Sequence, residues 1–357
     1  MRATDTVRGQ DETPKAEGDR SATPFRFSQI FGATPSPPPE SAAVDEPTAP
    51  RNGGKTLALK SSLDAESIYS VLQDYMMDVR VGIRDGAGIG LDPAVQMIAN
   101  IVDSPEVLAG INPMMLNFAN EQDYYILQPI HTMIYALKIG LRLNYPRKRL
   151  TELGLATLLQ NVGMFLVPDA IIGKTGSLTD EEIAAIKKHP ENGRDILLPF
   201  QKDFPAVVEA VYQHHERENG KGYPQGLKGE EIGEYAQIIG ICDSYESMTH
   251  NRPHKKALLQ FTSVRQLIEA KERLFAPRIL KVFLDEMSLY PVGSYVKLNN
   301  GAIGRVIKTN KSQPVKPLVR IIFDGLGNRS VAEEHTDLST NNVLNIVDVV
   351  AEWELPT

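Results

Sequence analysis

Between residues 61 and 287 apolar side chains recur at helical spacing in segment after segment, and period-two alternation begins only beyond Pro291. A chain of this kind has to stack its helices, because each apolar stripe can leave water only against another stripe. Asp64 can cap a first helix that puts Ile68, Val71, Leu72 and Tyr75 on one face. Helices at 95–102 and 124–143 follow, the second with Ile126, Leu127, Ile130, Ile134 and Leu137 on its apolar side and His131 among them. Pro146 opens another, marked by Leu150, Leu153, Leu158 and Leu159, that ends near Gly163. Thr179 and Glu182 make a capping box for a helix that reaches His189. Segments 204–215 and 235–250 complete the series, with Asp243 on the last. Gly82, Gly86, Gly88 and Gly90 follow the end of a helix rather than a strand, so they read as a flexible loop and not as a phosphate cradle.

After Pro291 the pattern changes. Segments 295–298 and 303–307 are strand-like and joined by a turn containing Asn300-Gly301, and 318–323 and 343–350 read as further strands. The expectation is a small β domain over 291–350, with Lys297, Arg305, Lys308, Lys311, Lys316 and Arg320 forming a solvated basic face. At the other end, residues 1–56 are rich in Pro, Ser, Thr, Ala and charge and bury too little apolar area to offset chain entropy, so a disordered tail is expected there. One apolar island, Phe25, Phe27, Ile30 and Phe31, interrupts it. It reads either as a short docking motif for a partner's groove or as an incidental cluster. The remaining boundaries are an N-terminal helical segment over 61–120 and a helical domain over 121–287.

A formal charge of -7 leaves no excess of Lys and Arg to neutralise phosphates along a nucleic acid, so DNA and RNA are not expected partners. Cys242 is the only cysteine and cannot close an internal disulfide. No apolar run approaches the roughly 18 residues of a membrane helix, and the N-terminus lacks the apolar core of a secretory leader. A cytoplasmic location is the expectation.

The most informative run is His214-His215-Glu216-Arg217-Glu218-Asn219-Gly220-Lys221-Gly222-Tyr223-Pro224. Two adjacent imidazoles close a helical segment, and a glycine-rich turn follows. Imidazole is the commonest metal ligand, which suggests a metal pocket lined by the loop. A polar helix end before a Gly/Pro loop would leave the order of small, aromatic and cyclic residues unexplained. The run resembles the signature of the HD-GYP family of bacterial phosphodiesterases, HHE-R-x-D-G-x-G-Y-P, with Asn219 in place of the Asp.

The resemblance extends from about residue 120 to 260 and implies an HD-type helical bundle with metal ligands on several helices. His131 matches the first metal histidine, His189 the next, His214 and His215 the paired ligands, and Asp243 the aspartate of the Ile-Cys-Asp turn. The segment Asn251-Arg252-Pro253-His254-Lys255-Lys256 looks like the family's D-R-P-Y-R-K, which implies that Arg252 and Lys255 contact substrate phosphates beside Tyr223 and Pro224. The glycine-rich loop is expected to present Tyr223 outward, as an amphipathic ring for stacking. The β domain is similar to one that follows many such bundles.

The HD half departs from the family. Where it has His-Asp-x-Gly-Lys, this chain has Gln160-Asn161-Val162-Gly163-Met164. The resemblance implies that the missing Asp bridges two metals, the missing His binds one and the missing Lys holds phosphate. Leu127 stands where members with a third metal carry Glu. An amide oxygen is a weak ligand and cannot replace a bridging carboxylate. His189, His214 and His215 remain, the ligand count of a mononuclear site with an open position. The leading expectation is a degenerate member that serves as a binding or interaction module in cyclic di-GMP signalling, engaging the nucleotide or a diguanylate-cyclase-type domain. One divalent metal (Fe, Mn or Zn) or none is expected. A phosphodiesterase with a reduced metal centre and a metal-free scaffold are the alternatives.

Overall fold

The computed structural model describes residues 65–104, 106–108, 124–174, 176–250, 258, 260–269, 273–287, 290, 292–310, 313, 315–330, 335–350 and 355–356. The apolar island at Phe25, Phe27, Ile30 and Phe31, and the phosphate-contact candidates Arg252 and Lys255, lie outside them.

The protein is mostly helical, with a small antiparallel sheet at its C-terminal end. The helices are α1 (Ala65–Arg84), α2 (Asp92–Asp103), α3 (Tyr124–Arg142), α4 (Arg147–Leu159), α5 (Asp180–Lys187), α6 (His189–Leu197), α7 (Pro205–Gln213), α8 (Glu234–Thr249), α9 (Gln260–Glu269) and α10 (Pro277–Glu286). A 3₁₀ turn at Val162–Leu166 and a single helical turn at Asp169–Ile172 lie between α4 and α5.

Two helices are central. α3 buries an almost unbroken run from Ile126 to Gly140, and α8 buries residues on every side from Tyr235 to Met248. A helix apolar all round must be enclosed by others, and α3 packs against α4, α8 and α1. Ile130, Ile134 and Leu137 on α3 are fully buried. Removing each from water contributes about 2 kcal/mol. The polar residues on these central helices are therefore placed in a dry interior. Gln128 and His131 lie on α3, and Asp243 and Glu246 on α8, all nine-tenths or more buried.

Several boundaries depart from the sequence expectation. Gly82 belongs to α1, where it lets Gly88 O approach to 2.4 Å of the place a Cβ would occupy. The helix expected to reach His189 ends at Lys187, and His189 opens α6 instead. The reason is Pro190, which has no N–H to continue the α5 ladder to Ile186 O. The helix expected to end near Gly163 stops at Leu159.

The sheet runs β4 (His335–Asp337), β3 (Leu318–Phe323), β2 (Ile303–Lys308), β1 (Tyr295–Leu298), β5 (Ile346–Val350) in spatial order, with every neighbouring pair antiparallel. Asn300 and Gly301 turn β1 into β2, with Gly301 at φ 88°. Val296, Leu298, Val306, Val319 and Phe323 form its buried side. Lys297, Arg305 and Lys308 are exposed, while Lys316 and Arg320 are half-buried. No helix among the described residues is long and apolar enough to cross a membrane.

Candidate metal centre

The last turn of a helix leaves carbonyls without N–H partners, and two imidazoles here occupy such positions. His189 Nδ1 lies 2.8 Å from Ile186 O, the carbonyl that Pro190 cannot serve. His214, just past the end of α7, places Nδ1 2.7 Å from Val211 O. Each carbonyl accepts only from an Nδ1–H, so both rings are held with Nε2 as a bare lone pair. Those two Nε2 atoms face each other at 3.1 Å. Two lone pairs at that distance repel unless a cation lies between them. Nitrogens bound at 2.0–2.1 Å to one tetrahedral ion stand about 3.3 Å apart.

His215 completes the group, with ligand atoms of all three rings within 4.8 Å of one another. Burial lowers the His189 pKa to about 4, and it holds that of fully buried His214 well below the usual value, with neighbouring His189 adding to the shift. Both rings are neutral at pH 7, the form that binds metal. The donor set fits one divalent ion.

The loop beyond is pinned by Glu216, a residue the sequence reading passed over. Its buried carboxylate accepts hydrogen bonds from the backbone N–H groups of Gln225 at 2.6 Å, Gly226 at 3.1 Å and Leu227 at 3.0 Å. Gly222 packs so closely on this residue that a Cβ would stand 2.4 Å from Glu216 Cα. The loop therefore folds back instead of projecting. Tyr223, expected outward, is half-buried and stacks on His215 with ring centroids 4.7 Å apart and planes 19° apart. Desolvation raises its phenol pKa. Pro224 follows, also half-buried. Arg217 donates to His214 O at 3.1 Å and Glu216 O at 2.9 Å, which braces the helix end.

The end of α4 is built from amides. Asn161 Nδ2 donates to Gln128 Oε1 at 2.8 Å, and Gln128 Nε2 donates to Asp243 and to Thr132. Gln160 Nε2 lies 3.4 Å from Asp243 Oδ1 and 3.5 Å from Gln128 Oε1. The Asp243 carboxylate can only accept, which fixes the Gln160 amide with its nitrogen inward. Gln160 Oε1 is consequently left buried without a partner. Gln128 is the hub of this network, and no sequence pattern identified it. Met164 is buried in the 3₁₀ turn, and Leu127 is buried on α3. Gly163 retains a structural duty, since a Cβ there would stand 2.0 Å from His189 O. These residues do not fit a second ion bridged to the first: the position expected to bridge carries an amide committed to Gln128.

Among the described residues, two groups of candidate ligand atoms lie within 4.8 Å of one another. His189, His214 and His215 stand together, while Asp243 belongs to the amide network. His131 groups instead with Glu246 and His250, neither of which the sequence reading singled out. Its Nε2 lies 2.8 Å from the Tyr69 hydroxyl of α1 and its Nδ1 3.4 Å from Glu246 Oε1.

The HD domain family matches residues 108–279, and the KOW domain associated with the HD domain matches residues 295–357. The chain is similar to the cyclic di-GMP phosphodiesterase PA4108 of Pseudomonas aeruginosa, 29% identical over 73% of this chain and 62% of the relative. It is also similar to the cyclic di-GMP phosphodiesterase PdeB of Borreliella burgdorferi, 26% identical over 62% of this chain and 58% of that one. The response regulator RpfG of Xanthomonas campestris, also a cyclic di-GMP phosphodiesterase, is 34% identical over 36% of this chain and 35% of its own. The chain thus spans about three-fifths of the length of the first two relatives. Among solved structures, the HDG"Y"P protein Bd1817 of Bdellovibrio bacteriovorus shares the fold, with TM-score 0.50 and 16% identity over 61% of this chain and 70% of that one.

Proposed function

We propose that this chain, which resembles the HD-GYP family, acts in cyclic di-GMP signalling as a binding or interaction module with little or no hydrolysis. The observation that carries this reading is the amide network of Gln128, Gln160 and Asn161 around Asp243. A two-metal centre hydrolyses a phosphodiester with ions about 3.5–4 Å apart, and the resemblance implies that a carboxylate bridges them. Here Asn161 supplies a neutral amide that is already bonded to Gln128.

The three-histidine group holds one divalent ion in this reading, from the borderline set Fe, Mn or Zn. Bound there, such an ion would neutralise charge on a phosphoryl oxygen. The protein's own residues do the recognition. The Tyr223 ring, stacked on His215, is the aromatic surface on which a base would stack. Arg252 supplies a planar fork for phosphate, with Lys255 three residues on. A diguanylate-cyclase-type domain is the alternative occupant of the same loop.

Calorimetry with cyclic di-GMP on the full chain, with and without chelator, tests the reading. Tyr223→Ala and Arg252→Ala are each expected to weaken binding about tenfold or more, whereas chelation alone leaves binding measurable. Unchanged binding in both variants, or complete loss on chelation alone, would contradict it. A pull-down with a diguanylate-cyclase domain separates the two occupants. A second reading, a phosphodiesterase with a reduced metal centre, is favoured by the facing Nε2 atoms of His189 and His214. It requires steady turnover by the native protein.

A further inference from the structure

We propose that His131, Glu246 and His250 form a second, mononuclear site for a divalent transition-metal ion, separate from the three-histidine group. It lies one helical turn along α3 and α8 from Gln128 and Asp243 and does not depend on the proposed signalling role. Glu246 Oε1 stands 3.4 Å from His131 Nδ1 and 3.3 Å from His250 Nδ1. A charge-assisted N–H···O⁻ bond is shorter, about 2.7–2.9 Å, and both contacts overshoot that range by a similar amount. Ligands held 2.0–2.2 Å from one tetrahedral ion stand about 3.3–3.5 Å apart. Both contacts match that separation, and all three ligand atoms lie within 4.8 Å of one another.

The surroundings are those of a supported ligand set. His131 Nε2 lies 2.8 Å from Tyr69 Oη, a contact that fixes the ring with Nδ1 turned to Glu246. Tyr124 donates to the other oxygen, Glu246 Oε2, at 3.0 Å. In the metal-free chain His250 Nδ1 also lies 3.2 Å from Glu246 O and 3.3 Å from Thr249 Oγ1, contacts of its N–H that binding an ion replaces.

Charge points the same way. Glu246 is 1% exposed, and its only ion-pair partners among the described residues are these two imidazoles. A buried carboxylate favours a cation beside it. Two imidazoles and one carboxylate suit Zn²⁺, Fe²⁺ or Mn²⁺ rather than Ca²⁺ or Mg²⁺, which prefer all-oxygen shells. The competing arrangement is a metal-free chain of hydrogen bonds from Tyr69 through His131 to Glu246.

Zn²⁺ titration of the metal-stripped full chain separates these. In a His189→Ala/His214→Ala variant, which removes the other group, one Zn²⁺ per chain should remain after desalting. Adding His250→Ala should weaken it by on the order of 100-fold or more, and adding Tyr69→Phe by about 10- to 100-fold. Co²⁺ loaded into the His189→Ala/His214→Ala variant should give the visible bands of a tetrahedral N/O site. This readout, like Tyr69→Phe, holds even if loss of His250 perturbs folding. Absence of bound Zn²⁺ and of those bands in that variant would overturn the proposal. So would Zn²⁺ whose affinity is indifferent to both His250→Ala and Tyr69→Phe.

Discussion

At the ends of α5 and α7 two imidazoles take up orphan helix carbonyls, and a third stands beside them. At the neighbouring end of α4, Gln160 and Asn161 turn amides into a network with Gln128 and Asp243. Gly163 joins the two regions, since it lies against the His189 backbone. The first region leaves facing lone pairs that only a cation or proton can reconcile. The second satisfies itself internally, with the single exception of Gln160 Oε1. The α4 end is held together by hydrogen bonds among its own amides and Asp243. A metal-binding geometry and a hydrogen-bonded geometry coexist in one helical scaffold, and the difference lies in a few side chains.

The strongest way to break this contrast is to rebuild the amide end. Gln160→His with Asn161→Asp is expected to add one metal ion per chain and to raise cyclic di-GMP turnover by on the order of 100-fold or more, with Met164→Lys improving phosphate binding. Elemental analysis and a product assay check it. Gly163→Ala comes next. Its Cβ would stand 2.0 Å from His189 O, so α6 must shift, at a cost of about 3 kcal/mol in urea unfolding and with loss of metal affinity at the histidine end. Glu216→Ala frees three backbone N–H groups and should cost about 2–3 kcal/mol, with Tyr223 released from His215. The smallest effect belongs to Tyr223→Phe, which keeps the ring and should change stability by less than about 0.5 kcal/mol and leave nucleotide binding unchanged. A large loss there would mean that the hydroxyl, and not the stacked ring, carries recognition.

The helical bundle was legible because its signals are local. Apolar periodicity marks α3 and α4, and the capping box of Thr179 and Glu182 opens α5 as expected. The adjacent pair His214-His215 was legible for the same reason. Gln128 was not, since it meets Asn161 from 33 positions away and nothing in its neighbourhood marks a buried amide hub. His250 and Glu246 were equally silent, because their partner His131 lies on another helix. The short strand His335–Asp337 has no apolar alternation to betray it, and it pairs only along the edge of β3. Tyr223 misled for a different reason. A glycine-rich loop suggests projection, yet Gly222 serves here to let the chain fold tightly onto Glu216.

The proposed function rests on the amide end not supporting two-metal hydrolysis, whatever the histidine end binds. Turnover of cyclic di-GMP by the native full chain, loaded in turn with Fe²⁺, Mn²⁺ and Zn²⁺, tests it most directly. The account predicts no product, or product far slower than about 1 per second, in all three forms. Turnover at about 1 per second or faster, the range of ordinary enzymes, in any of them would contradict it.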